Sequence, residues 1–532
     1  MLGWCTHNDN GRPPTRVKGG TGSTWKSGHS HDRPYPGELV CMPSTLAPPD
    51  RSPRHQHTAI LAIIVISYFM ILLDNSIIFT ALPKIESAMH LSVTGLAWVQ
   101  DAYTLVFGGL LLLGARAGDL LGRRRVFIAG IAIFATASLL IAVAPAGWWL
   151  IGARGLQGIG AAVVAPSSLA LLTANFPEGR ERSRAVALYG ATAGIGASLG
   201  LVIGGALADW VSWRAGFLVN VPIGIAMIVL APRYLRETPR TRGRFDVAGA
   251  ITATSGVGVL VFGIIHSASA GWSDPVTIGA LILGGLIVAL LIATQRRAAE
   301  PIMPLRLFAS RTRSGSYLSR LLYVGAMIGF FYFTTQYLQE VLGFSALQAG
   351  LAFLPMTGVN FIVAMAIPRI TARWGQALPL SIGIAITLAG MAWLTMITPT
   401  SSFWTAVAAP MVAIGAGQGL AFAPLTSTGI ADLAPADAGA GSGLVNTFHQ
   451  LGMALGLGIL VTASAHAGTG AASAPIALTD QVSTALTAGT ILLALSLAVT
   501  LAIILPTDRR RRRSPAPAST GALPPESTVH CR

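Results

Sequence analysis

Charge is scarce in this chain. Only 11% of its 532 residues are Asp, Glu, Lys or Arg, less than half of the roughly 25% found in soluble domains. That shortage excludes a water-soluble multidomain enzyme. With 52% of the residues apolar, a disordered chain is excluded as well. Cysteine is nearly absent: Cys5, Cys41 and Cys531 lie near the ends, which excludes a disulfide framework and a cysteine–metal centre. There is no Gly-Lys dipeptide, hence no G-x-x-x-x-G-K-[ST] phosphate loop and no ATP-driven pump of that design. No H-E-x-x-H occurs, so a zinc-protease site is missing and no metal site is expected. A G-x-S-x-G hydrolase elbow needs a strand–turn–helix setting, which long apolar runs do not supply. Alternating strands are lacking too, and a membrane β-barrel goes with them.

What is present is apolar sequence rich in small residues, with 60 glycines. A membrane-crossing helix needs about 20 apolar residues. Fourteen stretches meet that need, the first at 58–82 and the last at 485–506. The net charge of +15 is then a matter of orientation rather than of nucleic acid, for which no partner role is expected. Arginines cluster at 123–125, 180–184, 233–244, 296–320, 369–373 and 509–513, each after an even-numbered span. The loops between hold only Lys84 and Arg214. This places the arginine loops and both termini in the cytoplasm of a multi-pass protein of the cell membrane. The expected organisation is a disordered cytoplasmic tail (1–57) and a six-helix half (58–232). Linkers with a central helix pair follow (233–315), then a second six-helix half (316–506) and a basic cytoplasmic tail (507–532). Nothing before Met42 reads as structural, so that residue is a candidate start. A faint repeat supports two halves: GDLLGRRR (118–125) after span two has a degraded echo in RITARWG (369–375) after span ten. Secondary transporters are built from such repeats, with substrate bound near the midplane between them.

Three motifs carry chemistry. In GARAGDLLGRRR (114–125), Gly118 and Gly122 permit a tight turn, and Asp119 is placed to accept hydrogen bonds from Arg123 or a helix N-terminus. The same loop also reads as a plain positive-inside connection. In LIGARGLQGIGAA (150–162), Arg154 lies about seven residues inside span four, where an unpaired charge costs at least about 2.5–3.5 kcal/mol. Snorkelling to the interface is the bland alternative. In span five, GATAGIGASLGLVIGG (190–205) repeats the G-x-x-x-G spacing that lets another helix approach closely.

These motifs, in this order and on these spans, resemble the major facilitator superfamily, over residues 58–506. The resemblance is most specific for its fourteen-span drug:proton antiporter branch. LLDNSIIFTALPKI (72–85), SWRAGFLVNVPIG (212–224), RFDVAG (244–249), EPIMPLRLF (300–308) and NTFHQLGMALG (446–456) are similar to that branch's motifs. The resemblance implies a gating pair in Asp119 and Arg123, with Gly118 and Gly122 in the same motif. It implies a buried proton-linked arginine in Arg154, a protonatable acid in Asp74, and antiporter-motif glycines in Gly200, Gly204 and Gly205. Three positions depart from the pattern: Leu201 replaces a usual proline and questions a span-five bend, Ala115 replaces a glycine, and His449 replaces an arginine.

Depth gives a separate argument. Asp74 lies about 13 Å from the outer end of span one, Asp101 about 8 Å below the start of span two, and Arg154 about 10 Å below Gly147, at 1.5 Å per residue. Two acids and one arginine in one layer suggest a coupled cluster, although Asp101 also fits a solvated interface. His449 sits near the middle of span thirteen, where an ionisable side chain is a functional candidate, or else a packing histidine. The expected fold is an all-α polytopic membrane protein. The expected activity is proton-coupled export of drugs or antibiotics by a monomer that is not an enzyme. Its partners would be an amphipathic small molecule, protons and the lipid bilayer, with a proton gradient instead of a cofactor. Export of one endogenous metabolite and a transporter-like sensor are the competing readings.

Overall fold

The computed structural model describes residues 53–513 apart from 241, 242, 244, 299, 300, 435 and 436. The three cysteines, Met42 and most of both tails lie outside the described residues, as do Arg244 and Glu300 of two quoted motifs. The regular structure among the described residues is helical. Thirteen helices are long and apolar enough to cross a membrane. They are α1 (Pro53–Met89), α2 (Val93–Leu121), α3 (Arg123–Ala142), α4 (Gly147–Asn175), α6 (Trp213–Tyr234), α7 (Val247–Ala270), α8 (Pro275–Arg297), α9 (Arg311–Val341), α10 (Ala346–Trp374), α11 (Ala377–Leu394), α12 (Phe403–Gly429), α13 (Ala438–Ser464) and α14 (Ala474–Arg509). The remaining one, α5 (Arg180–Trp210), is apolar over Gly196–Trp210 among the described residues and completes the fourteen. It runs unbroken past Leu201, whose backbone N–H is the one a proline there would lack. α1 starts at Pro53, inside the stretch expected to be tail. Hydropathy marks the apolar run, and a helix continues beyond it while its backbone bonds last.

The repeat is visible in the backbone. Gly122 closes α2 with φ 103° and Gly375 closes α10 with φ 80°. Both are left-handed turns that favour glycine, at matching positions of the two halves. The halves also meet symmetrically. Second helix α2 of the first half packs on fifth helix α13 of the second, and α5 packs on α10 in the reverse sense. Small residues make both seams. A Cβ on Gly108 would lie 2.5 Å from the Gln450 side chain, and the Thr447 hydroxyl donates to Gly108 O at 3.4 Å. At the other seam, a Cβ on Gly205 would collide with the Ala346 carbonyl, and one on Gly350 with that of Leu201.

The central pair α7–α8 lies beside the α2–α13 seam. Gly109 lets Thr254 of α7 come close, and Thr462 donates from α13 to Ile264 O at 2.7 Å. Asp246 caps α7 through Gly249 N (2.8 Å) and also accepts from Gln295 Nε2 (2.5 Å) and Ile302 N (3.4 Å). The two insert-border motifs therefore form one junction.

Candidate functional site

Asp74, on α1, has no exposed surface, and neither has Arg154 on α4. Arg154 Nη1 donates to Asp74 Oδ2 at 2.7 Å. The other carboxylate oxygen accepts from Gln157 Nε2 and from Asn220 Nδ2, both at 2.8 Å. Gln157 Oε1 accepts from Arg154 Nη1 at 2.7 Å, and Ser138 Oγ accepts from Gln157 and Asn220 at 2.9 and 3.3 Å. Arg154 Nε donates to Val99 O at 3.1 Å, and the guanidinium lies 4.4 Å from the Tyr103 ring centre. Snorkelling is thereby excluded for Arg154. Both charges have left water and found several donors or acceptors, the condition under which a buried pair survives.

Glycines set this geometry. A Cβ on Gly158 would lie 2.7 Å from Tyr103 O, and one on Gly160 would lie 2.7 Å from Phe134 N. α4 can therefore press against both α2 and α3, which brings the Val99 carbonyl, Tyr103 and Ser138 to Arg154 and Gln157. Helix–helix approach of this kind is what small residues provide within a bilayer.

At the arginine-rich end, Arg123 donates to Asp119 Oδ1 through Nε (3.1 Å) and Nη2 (2.9 Å), and through Nη1 to Ala170 O (3.3 Å). The pair ties α2, α3 and α4 together. Sequence reading missed its supports. Thr238 Oγ1 accepts from Arg123 N (3.3 Å) and Glu237 Oε1 from Arg124 N (3.0 Å), so both cap α3. Gly122 is required there twice, by its φ and because a Cβ would meet the Glu237 carboxylate at 2.8 Å. Gly118 has ordinary room, its nearest neighbour being the Arg123 side chain.

At the opposite end, Gly200 and Gly204 press α5 onto Ser76 and Ile77 of α1, and Gly205 presses it onto α10. Asp209 closes α5. It takes Lys84 Nζ at 2.7 Å and accepts from Ala346 N (3.2 Å) and Leu347 N (2.8 Å). A carboxylate of the first half thus sits on the N-terminus of a helix of the second, where negative charge is favoured. No motif pointed to it.

Asp101 does not join Asp74 and Arg154. It is fully buried rather than at a solvated interface, and neither carboxylate oxygen has a hydrogen-bond partner among the described residues. Depth along a helix fixes a layer but not a facing, so the layer argument brought together only two of three. His449 is also absent from the Asp74 network. Its ring stands edge-on to Phe422 at 5.7 Å, in the neighbourhood of Arg320. Arg320 itself was counted with the loop arginines 296–320. It lies instead nine residues into α9 and is only 4% exposed. A run of arginines that enters a helix looks continuous in sequence.

A bundle of two helical halves, joined through glycine seams and holding a buried ion pair, defines the class of secondary membrane transporters. The chain belongs to the Major Facilitator Superfamily, whose profile matches residues 64–457. It is 38% identical over 405 residues to the cephamycin export protein CmcT of Amycolatopsis lactamdurans, covering 75% of this chain and 83% of that one. Identity to the puromycin resistance protein pur8 of Streptomyces alboniger is 37% over 406 residues, 74% of this chain and 79% of the relative. Among solved structures, a bacterial homolog of the human lysosomal transporter Spinster, inward-facing and occupied, superposes with a TM-score of 0.61. It is 17% identical and covers 88% of this chain and 100% of its own.

Proposed function

We propose that this protein is a proton-coupled secondary exporter of drugs or antibiotics from the cytoplasm. Its family and the two antibiotic-related relatives support export. The Asp74–Arg154 pair, buried and 2.7 Å apart, is the observation that carries proton coupling. A proton on Asp74 Oδ2 removes the charge that holds Arg154, while Gln157 and Asn220 keep the other oxygen in place. Proton binding and release of Arg154 are then one linked event, and Ser138, Tyr103 and the Val99 carbonyl hold the polar groups meanwhile.

In this reading the arginine-rich end faces the cytoplasm, as do both termini, and the halves run over 58–232 and 316–506 with 233–315 between them. Asp119 and Arg123 govern the cytoplasmic side. Gly200, Gly204 and Gly205 with Asp209 govern the outer side, where α5 and α10 are in contact. The protein works as a monomer, catalyses no covalent change, and takes its energy from the proton gradient. The test is drug-induced proton movement in proteoliposomes of the full chain, with a panel that includes puromycin. Proton release on drug addition, abolished when the gradient is collapsed, is the expected result. Drug flux that ignores the gradient removes the coupling, and the absence of any flux leaves a sensor.

A further inference from the structure

Arg154 has its carboxylate, but Arg320 has none. Arg320 lies about 14 Å along α9 from its start at Arg311, well inside the bundle. Its Nη1 donates to Thr426 Oγ1 at 2.8 Å, and its guanidinium lies 4.7 Å from the centre of the Phe422 ring. Its Nε has no hydrogen-bond partner, and no carboxylate forms an ion pair with it among the described residues. A guanidinium cannot shed its proton, so its charge persists in a medium that penalises it. One hydroxyl and one ring face are small compensation for a group with five donors.

The surroundings belong to both halves. Tyr68 of α1 and His449 of α13 lie within electrostatic reach of Arg320. Tyr68 stacks on Tyr189 of α5, ring centres 4.2 Å apart. His449 Nδ1 is another polar atom without a hydrogen-bond partner among the described residues. Tyr68, Tyr189 and His449 are half-buried. An unanswered cation, ring faces and a spare imidazole nitrogen thus come together where α1 of one half meets α9 of the other. Asp74 offers nothing comparable to a ligand, since both its oxygens are taken by side chains.

We infer that this meeting of the halves binds the acidic group of an amphipathic substrate, with Arg320 as the counter-ion and Phe422, Tyr68 and Tyr189 as platforms for its apolar or aromatic body. The substrate class is therefore the small organic acid, not the lipophilic cation. The inference rests on the exporter reading and gives it a substrate chemistry. A guanidinium suits a planar carboxylate through paired N–H donors, and its unused Nε is free to contribute one of them.

The experiment uses purified full-length protein in phosphatidylcholine nanodiscs and two probes, dansyl-phenylalanine and dansyl-phenylalanine amide. They share an aromatic body and differ in one negative charge. Wild type should bind the acid about tenfold more tightly than the amide, the scale of one charge-assisted hydrogen bond. Arg320→Gln should bring the two affinities together by weakening the acid alone, and Arg320→Lys should keep part of the preference. Should Arg320→Gln fail to fold, Thr426→Val serves instead. It frees the guanidinium from its hydroxyl partner and should change the affinity for the acid about two- to fivefold while sparing the amide. Equal binding of both probes by wild type, binding of neither, or an acid preference that survives Arg320→Gln overturns the inference. Displacement of the acid by added phosphatidylglycerol also overturns it, since the site would then belong to a lipid headgroup. Acid-selective binding without drug-induced proton release would sink the proton-coupled reading and leave this site standing.

Discussion

At the scale of single residues, the buried pair makes a prediction that separates fold from coupling. Asp74→Asn keeps the volume but leaves Arg154 charged and unanswered, a change that costs about 3–5 kcal/mol in buried pairs. Its thermal midpoint in detergent should fall, and drug-induced proton release should vanish. Adding Arg154→Gln removes the stranded charge, so the double variant should recover most of the midpoint while proton release stays absent. Proton release by either variant would move the coupling elsewhere, first to Asp101, whose carboxylate is buried with no hydrogen-bond partner among the described residues. Arg154→Lys should remain poor, since an ammonium cannot serve Asp74, Gln157 and Val99 from one planar fork. Asp74 and Arg154 were legible because a charge stands out within an apolar run. Asn220 and Ser138 were not, because uncharged polar residues inside helices are common and only the fold brings them to one carboxylate.

At the scale of elements, the α5–α10 seam is the part most sensitive to a single atom. A side chain at Gly205 meets the Ala346 backbone, and backbone cannot turn aside as a flexible side chain can. Gly205→Val should open that seam at a cost of about 1–3 kcal/mol, roughly a 5- to 150-fold shift between conformations. Asp209→Asn acts on the same seam by charge. It weakens the hold on the first N–H groups of α10 and frees Lys84, a loss of about 0.3–2 kcal/mol. Distances between spin labels at the outer ends of α5 and α10 should lengthen in both variants, more in Gly205→Val. Unchanged distance distributions would reduce the seam to passive packing. Glycine spacing announced this contact in the sequence, and Leu201 in place of proline left its geometry open. The close approach comes from the missing side chains at Gly200, Gly204 and Gly205, on a helix that continues past Leu201. Asp209 had no local signal, since its partners lie 125 to 138 positions away.

At the scale of the molecule, apolar runs gave the number of crossings and the arginine loops gave only their parity, and one helix now carries that parity. Between Arg125 and Arg313 run α3 to α8, six crossings if α5 spans the membrane. α5 is the one of the fourteen that is not among the thirteen helices meeting the length and hydropathy of a span among the described residues. Its first turns carry Arg180, Arg182 and Arg184, and much of its surface there is exposed. It nevertheless packs along α1 through Gly196, Gly200 and Gly204, and α1 is unambiguously long and apolar. A helix held along a spanning partner, with its far end capping α10 of the other half, has its two ends on opposite faces. Reporters fused after Arg125 and Arg313 should therefore both read cytoplasmic, and those fused at Gly271 or Thr469 should read external. Were α5 to lie along the surface, five crossings would separate Arg125 from Arg313 and the two fusions would report opposite faces. The fusions at Arg125 and Gly271 would then agree. Asp209 and Ala346, separated by the four helices α6 to α9, stay on one side in either case, so that outcome would instead break the packing of α5 along α1, and with it the parity of the whole chain.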